Sequence, residues 1–269
     1  MTEQTITSAA NPRLKTLVAL RRRRRREQEG RTLLEGYDEL ALALAAGVRP
    51  VELYTCPELM ADPHAQDDVV RRSRDVGAQV VRLGRAAFEK VAYREGADGF
   101  LAVVPSVGAT PRELVLPADP LVLIAEGVEK PGNLGAMLRT ADAAGVDAVV
   151  AADPVTDWGN PNVVRSSKGT VFSVPVATAT TAETIGWARE RGIRVVAATP
   201  AATELHTDVD LTGPVAIAVG TEKEGLTDEA LGAADVRVRI PMTGKANSLN
   251  VATSAAIILY EAVRQRRTR

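Results

Sequence analysis

In the second half of this 269-residue chain, continuous apolar runs alternate with helical patterns, and that alternation limits what the chain can fold into. Residues 121–125, 148–151, 194–198 and 215–219 are drawn almost wholly from Ala, Val, Leu and Ile, as in strands covered on both faces. Between them, residues 135–144, 162–167 and 182–191 carry helical patterns, and 251–264 predicts a closing amphipathic helix. Such alternation predicts a largely parallel sheet with ligand sites at the carboxyl ends of its strands. The first half alternates in shorter pieces. Strands are predicted at 31–34, 51–56, 80–83 and 100–104, with helices at 37–46, ended by Gly47, and at 65–76. Between the halves, VPSVGATPRELVLPADP places four prolines between apolar runs, the composition of a connection. The expected organisation is a small α/β/α domain over 1–105, a linker over 106–119 and a second domain over 120–269.

Aromatic residues are only 3% of the chain, so the core must come from Ala, Val, Leu and Ile. One cysteine (Cys56) and two histidines (His64 and His206) leave no disulfide framework and no cysteine- or histidine-based metal site to expect. No apolar run reaches bilayer length and the start lacks a signal-peptide core, so a reducing, cytoplasmic setting without a membrane is expected. Cys56, Trp158 and Trp187 are assigned to packing, and His206, within the acidic stretch HTDVD, to the surface. The net charge of −1 is uninformative, but its distribution is uneven. Residues 1–31 hold nine Lys/Arg, including the run Arg21–Arg26, against Glu3, Glu27 and Glu29; Arg264, Arg266, Arg267 and Arg269 close the chain. These blocks fit a polyanion contact and a solvated helix face equally well.

Three segments carry the chemistry. EGVEKPGNLGAMLRTADAAG, residues 126–145, follows a strand, with Gly132 for a sharp turn, Asn133 as a natural N-cap and a helix from about Leu134 that carries Arg139. VGTEKEGL, residues 219–226, puts a glycine at a strand end where a ligand can approach the main chain. IPMTGKANSLNVATSAAIILYE, residues 240–261, is a loop of small residues leading into the last helix. Ser248 and Asn250 there can cap that helix, and Met242, Thr243 and Gly244 form a surface for a flat ring. Taken singly, each segment also fits an ordinary loop or strand–turn–helix junction.

Together, PGNLGAMLRTADAAG, VGTEKEGL and IPMTGKANSLNVATSAAIILYE resemble, in order and spacing, the three motifs of the SpoU/TrmH family of RNA 2′-O-ribose methyltransferases. ITSAANPRLKTLVALRRRRRREQEGRTLLEGYDELALALAAGVRP and GFLAVV resemble that family's N-terminal substrate-binding domain. The resemblance implies an α/β class with two parts: an N-terminal α/β/α RNA-binding domain and a C-terminal α/β knot, a deep trefoil with a mostly parallel sheet. It also implies S-adenosylmethionine held bent by main-chain groups, the matching positions being Thr199, Gly220, Ile240 and Met242, with Leu249 closing the pocket. The family's catalytic positions fall on Arg139, Asn133, Glu222, Ser248 and Asn250, with no metal. The family proposal makes the arginine a base, yet a guanidinium does not deprotonate in proteins. Gripping the neighbouring phosphate and stabilising an emerging alkoxide suit Arg139 better.

The resemblance further implies a homodimer in which the arginine reaches the partner's cofactor site, with 251–264 and part of 135–144 as interface. The RNA it implies is 23S ribosomal RNA ahead of transfer RNA, with an antibiotic-resistance role on ribosomal RNA left open. Glu126 stands where an aspartate is common, and Ala252 where a serine often follows. A Rossmann enzyme would share the alternation, but no Gly-x-Gly-x-x-Gly follows a strand. A non-catalytic RNA-binding relative would not be expected to hold all five catalytic positions together.

Overall fold

The computed structural model describes residues 4–268; Glu3 and Arg269 lie outside them. The first half of the chain runs β1 (Gln4–Ile6), α1 (Pro12–Ala19), α2 (Arg23–Glu29), β2 (Arg31–Glu35), α3 (Tyr37–Ala45), β3 (Glu52–Thr55), α4 (Asp67–Asp75), β4 (Gln79–Leu83), α5 (Arg85–Val91) and β5 (Phe100–Pro105). The second half runs β6 (Leu121–Glu126), α6 (Pro131–Ala144), β7 (Ala148–Ala152), α7 (Pro161–Ser166), β8 (Val176–Ala179), α8 (Thr181–Glu190) and β9 (Arg194–Ala198). It ends with β10 (Glu204–Leu205), β11 (Val215–Val219), α9 (Asp228–Ala233), β12 (Val236–Arg239) and α10 (Val251–Arg267). No helix among the described residues is long and apolar enough to cross a membrane.

The chain divides into two compact units. The first runs through Val107 and takes in Asp157–Ser173; the second is Gly108–Thr156 together with the chain from Val174 onward. The units divide between Val107 and Gly108, and residues 157–173 fold with the first unit although they lie beyond the expected linker at 106–119. Of the 33 Lys/Arg and 34 Asp/Glu, 19 and 16 fall in the first unit, which carries +3 against −4 for the second.

In the first unit, strand order is β1-β4-β3-β5-β2. β1, β4 and β3 are parallel, and β5 is antiparallel to β3 and β2. Tyr54, Phe88 and Phe100 are fully buried in it, so this core takes more aromatic residues than the overall composition suggests. The arginine run divides at the corner between α1 and α2. Arg26 is buried, bonds Asp157 at 2.5 and 3.1 Å, and donates to the carbonyls of Leu20 and Arg21. Arg21 donates to the carbonyls of Val91 and Ala92 and lies over the Tyr93 ring. Arg23 and Arg25 pair with Glu27 and Glu29 one turn on. Among the described residues only Arg22 and Arg24 of the run are exposed without a partner, so two of the six arginines fasten the fold, two pair locally on the surface and two are free. Segment 157–173 is held closely in this unit. The Thr32 hydroxyl donates to the Gly159 carbonyl at 2.5 Å, and Gly169, at φ +83°, lies so near the Glu39 main chain that a Cβ would come within 3.1 Å of it.

The second unit holds a seven-stranded, fully parallel sheet in the order β10-β12-β9-β11-β6-β7-β8. β6, β7 and β11 are buried along their whole length, as continuous apolar runs require. The chain steps outward through β7 and β8, crosses back to β9, and returns to insert β11 between β9 and β6. That reversal brings the carboxyl ends of β9, β11 and β12 side by side, where α/β sheets bind ligands. Alanines at 148, 152, 177, 197, 216 and 218 keep the core thin, with Trp187 as its one large ring. Glu126, at the end of β6, is buried and accepts from the Thr181 hydroxyl and from the Thr227 hydroxyl and N–H at 2.7–2.8 Å. It thereby ties the starts of α8 and α9 to the sheet.

α10 packs against α6 and β11. Its basic end does not form the free polyanion patch that the sequence left open. Arg264 forks onto Glu261 at 2.7 and 2.8 Å, and Arg266 donates to the carbonyls of Asp119, Pro120 and Gly213. Of the described C-terminal arginines, only Arg267 is exposed without a partner. The Arg264 fork, then the amide of Gln265, pulls the Glu261 carboxyl down to about 2. A depressed carboxyl contributes stability in full above its ordinary value of 4.5 and loses it as pH falls through the folded value. Between about pH 4.5 and about pH 2, urea unfolding of Glu261→Gln should therefore show a shallower loss of stability than the parent; parallel slopes would contradict this. His206 is buried rather than on the surface, because its N–H pairs with the Arg239 carbonyl as β10 joins β12 and turns the ring inward.

Candidate active site

The ends of β9, β11 and β12, with the loop before α10, enclose a pocket of about 310 Å³. Thr199, Gly220, Ile240, Met242 and Leu249, the five expected cofactor positions, all line it, as do Glu222 and Ser248. Thr199 is fixed by its N–H, which donates to the Val238 carbonyl at 2.9 Å. Gly220 is a glycine for reasons of space: a Cβ there would collide with the main chain of Gly225 and Leu226. The chain folds straight back at this point. Thr221 and Gly225 exchange main-chain hydrogen bonds at 2.9 and 3.1 Å, Gly225 takes φ +74°, and the Thr221 hydroxyl accepts from the Glu224 N–H. The closed turn projects Glu222. Across the pocket, residues 241–250 are all exposed, among them the large apolar side chains Met242 (37%) and Leu249 (36%), which a bound apolar group would cover.

Beside the pocket mouth is a cluster of four polar side chains. Glu222 Oε1 accepts from the amides of Asn133 and Asn250, each at 2.8 Å, and Oε2 accepts from the Lys130 ammonium. Asn250 Nδ2 also donates to Asn133 Oδ1 at 3.1 Å. Asn250 Oδ1 accepts from the N–H groups of Ala252 and Thr253, so the residue caps α10 and serves the cluster at once. Because the cap uses its oxygen, its NH₂ must face Glu222, and the amide orientation is fixed. The Lys130 bond, followed by the Asn133 bond, holds the Glu222 carboxyl below its ordinary value. A carboxylate so occupied by donors is a poor proton acceptor.

The helix start differs from the expectation. α6 begins at Pro131, with Lys130 as the N-cap residue and proline at the first helical position, where its missing N–H costs nothing. Asn133 is thus inside the first turn rather than capping it, and its side chain is free to reach Glu222. Gly132 has no positive φ; the sharp turn falls earlier, at Gly127, φ +61°. Arg139 is six residues beyond Asn133, about 9 Å along the helix and on another face. It is exposed, outside the pocket lining, and without a hydrogen bond or ion pair among the described residues. Ser248 lines the pocket, and its hydroxyl makes no hydrogen bond among those residues.

Lys130 is the residue that sequence reasoning missed. A signal was present: a lysine at a helix N-terminus faces the positive end of the helix dipole, which calls for a nearby counter-charge.

Residues 120–260 match the SpoU rRNA Methylase family, and residues 11–102 match the MRM3-like substrate binding domain. The chain is 30% identical over 256 residues to the 23S rRNA (guanosine(2553)-2′-O)-methyltransferase RlmP of Bacillus subtilis, covering 95% of this chain and 97% of that one. A crystal structure of an RNA 2′-O ribose methyltransferase superposes with a TM-score of 0.82 at 40% identity, covering 99% of this chain and all of the other. The AdoMet-bound rRNA methyltransferase of Sinorhizobium meliloti superposes at 0.89, with 29% identity and 97% of both chains covered. The chain belongs to the SpoU rRNA methylase family.

Proposed function

We propose that this protein is an S-adenosylmethionine-dependent RNA ribose 2′-O-methyltransferase acting on 23S ribosomal RNA. One observation carries the reading: a small-molecule pocket at three parallel strand ends opens beside the Asn133–Glu222–Asn250 cluster. Its volume falls in the range of ligand sites, about 300–1,000 Å³. Gly220 lines the pocket at the closed turn, and the exposed Met242 and Leu249 stand ready to flank an apolar ring. When bound, S-adenosylmethionine supplies the methyl group that the ribose oxygen takes in exchange for its proton. Thr199, Gly220 and Ile240 hold the ligand through main-chain groups, and Met242 and Leu249 exclude water. Ser248 and the remaining amide hydrogen of Asn133 are the groups that orient the 2′-hydroxyl, the main contribution open to a site of this kind, while Asn250, engaged by Glu222, Asn133 and the start of α10, holds the cluster together. Glu222 organises the two amides and does not take the proton, which leaves to water or the adjacent phosphate.

Arg139 belongs to this proposal through a partner copy. It is exposed, unpaired among the described residues, and lines no part of its own pocket, so we assign it to the substrate phosphate at the partner's site in a homodimer. A cytoplasmic setting goes with a ribosomal substrate. Arg139→Ala should abolish methylation of unmodified 23S rRNA while the dissociation constant for S-adenosylmethionine, measured by calorimetry, stays within about twofold; lost cofactor binding would defeat the assignment. Light scattering should give the mass of two chains, and an active preparation with the mass of one would exclude the shared site.

A further inference from the structure

Glu222 holds the two asparagine amides in place only if it is itself held. It stands on an exposed turn, where a carboxylate would ordinarily sample several rotamers. Both amides bond one oxygen, Oε1, and among the described residues the sole partner of Oε2 is Lys130. Lys130 gains nothing from where it stands in α6: its side chain makes no capping bond, and its charge faces the unfavourable end of the helix. Glu222 is its one partner among the described residues. A second cavity, about 280 Å³, opens on the far side of the 221–224 turn, and Lys130, Asn133, Glu222 and Val251 line it. Glu222 thus lines both that cavity and the cofactor pocket, whereas Lys130 lines only the second cavity and reaches the first through Glu222.

We propose that Lys130 is a positioning residue for methyl transfer, its ion pair fixing Glu222 and, through Glu222, the amides of Asn133 and Asn250 at the mouth of the cofactor pocket. The proposal rests on the methyltransferase reading above. It assigns Lys130 no contact with the reacting atoms. Removing it leaves Asn250 still capping α10 and leaves no charge both buried and unbonded, since the Glu222 side chain is 30% exposed and keeps both amide donors, so the fold should survive. What is lost is the grip on Oε2. The carboxyl then protonates at higher pH, because its largest stabilising bond is gone. The other charged groups on this cavity, Glu129, Lys223 and Glu224, include one cation, and that one pairs with Glu224.

The test compares Lys130→Ala and Lys130→Arg with the parent on unmodified 23S rRNA. For Lys130→Ala, kcat should fall at least tenfold, with the KM for RNA and the dissociation constant for S-adenosylmethionine within twofold. The acid limb of kcat should move to higher pH, and Lys130→Arg should recover most of the rate. Independently of activity, the side-chain NH₂ resonances of Asn133 and Asn250 should shift in Lys130→Ala and return in Lys130→Arg. A rise in the RNA KM alone would make Lys130 a backbone contact instead and overturn the proposal. So would unchanged kcat with unmoved amide resonances. A parent that methylates no RNA would refute the underlying reading, while the resonances would still report on the Lys130 grip.

Discussion

Gly220→Ala is expected to weaken S-adenosylmethionine binding at least a hundredfold, or about 2.7 kcal/mol. The new methyl group would occupy space that the main chain of Gly225 and Leu226 already fills, and no rotamer can relieve a Cβ. The turn from Thr221 to Gly225 must then open. That moves Glu222 off the two asparagines and removes the wall shared by the pocket and the cluster. Gly132→Ala is the matched control, since nothing lies within 4 Å of a Cβ at that position in α6. It should bind the cofactor normally and gain slightly in stability, as alanine does over glycine within a helix. Calorimetry on both variants decides the matter, and wild-type affinity in Gly220→Ala would mean that the pocket does not depend on this turn.

The second large effect is on stability. Arg26→Ala should cost about 3 kcal/mol in denaturant unfolding, the low end of the range for breaking a buried ion pair from one side, since the Asp157 left behind is 22% exposed. The guanidinium holds both oxygens of Asp157 and two carbonyls at the α1–α2 corner, so its loss leaves a carboxylate and two acceptors short of donors. Arg22→Ala, four residues away, should stay within about 0.5 kcal/mol, as an exposed side chain without partners does. Equal costs for the two would show that the run acts as undifferentiated surface charge.

The contrast between Arg22 and Arg26 also shows where sequence reading stops. Six identical letters cannot reveal that one of them meets an aspartate 131 positions later and another meets carbonyls at the end of α5. The parallel strands of the second unit were legible because burial on both faces demands continuous apolar runs, and β9 and β11 have the bounds that the pattern implies. β1, three residues long, is too short to show any period, and α1 and α2 were obscured by reading their arginines as charge rather than as helix. In the candidate site, resemblance to the family supplied Asn133, Glu222 and Asn250, and the structure joins them. The local rule that made Asn133 a cap failed because Pro131 offers an earlier start. Lys130 was passed over because its meaning depends on Glu222, remote in sequence, rather than on its neighbours.

The segment Asp157–Ser173 changes what can be cut from this protein. The chain crosses between its two units three times, at Val107, Thr156 and Ser173, rather than once at a proline-rich joint. The smaller unit is therefore no detachable cassette. A fragment ending at Val107 would lack Asp157 and leave Arg26 without its carboxylate, and a fragment starting at Gly108 would carry Trp158, Val163, Val164 and Phe172 with no core to enter. Exchange of substrate domains between relatives, in evolution or in the laboratory, has to move two stretches of sequence together.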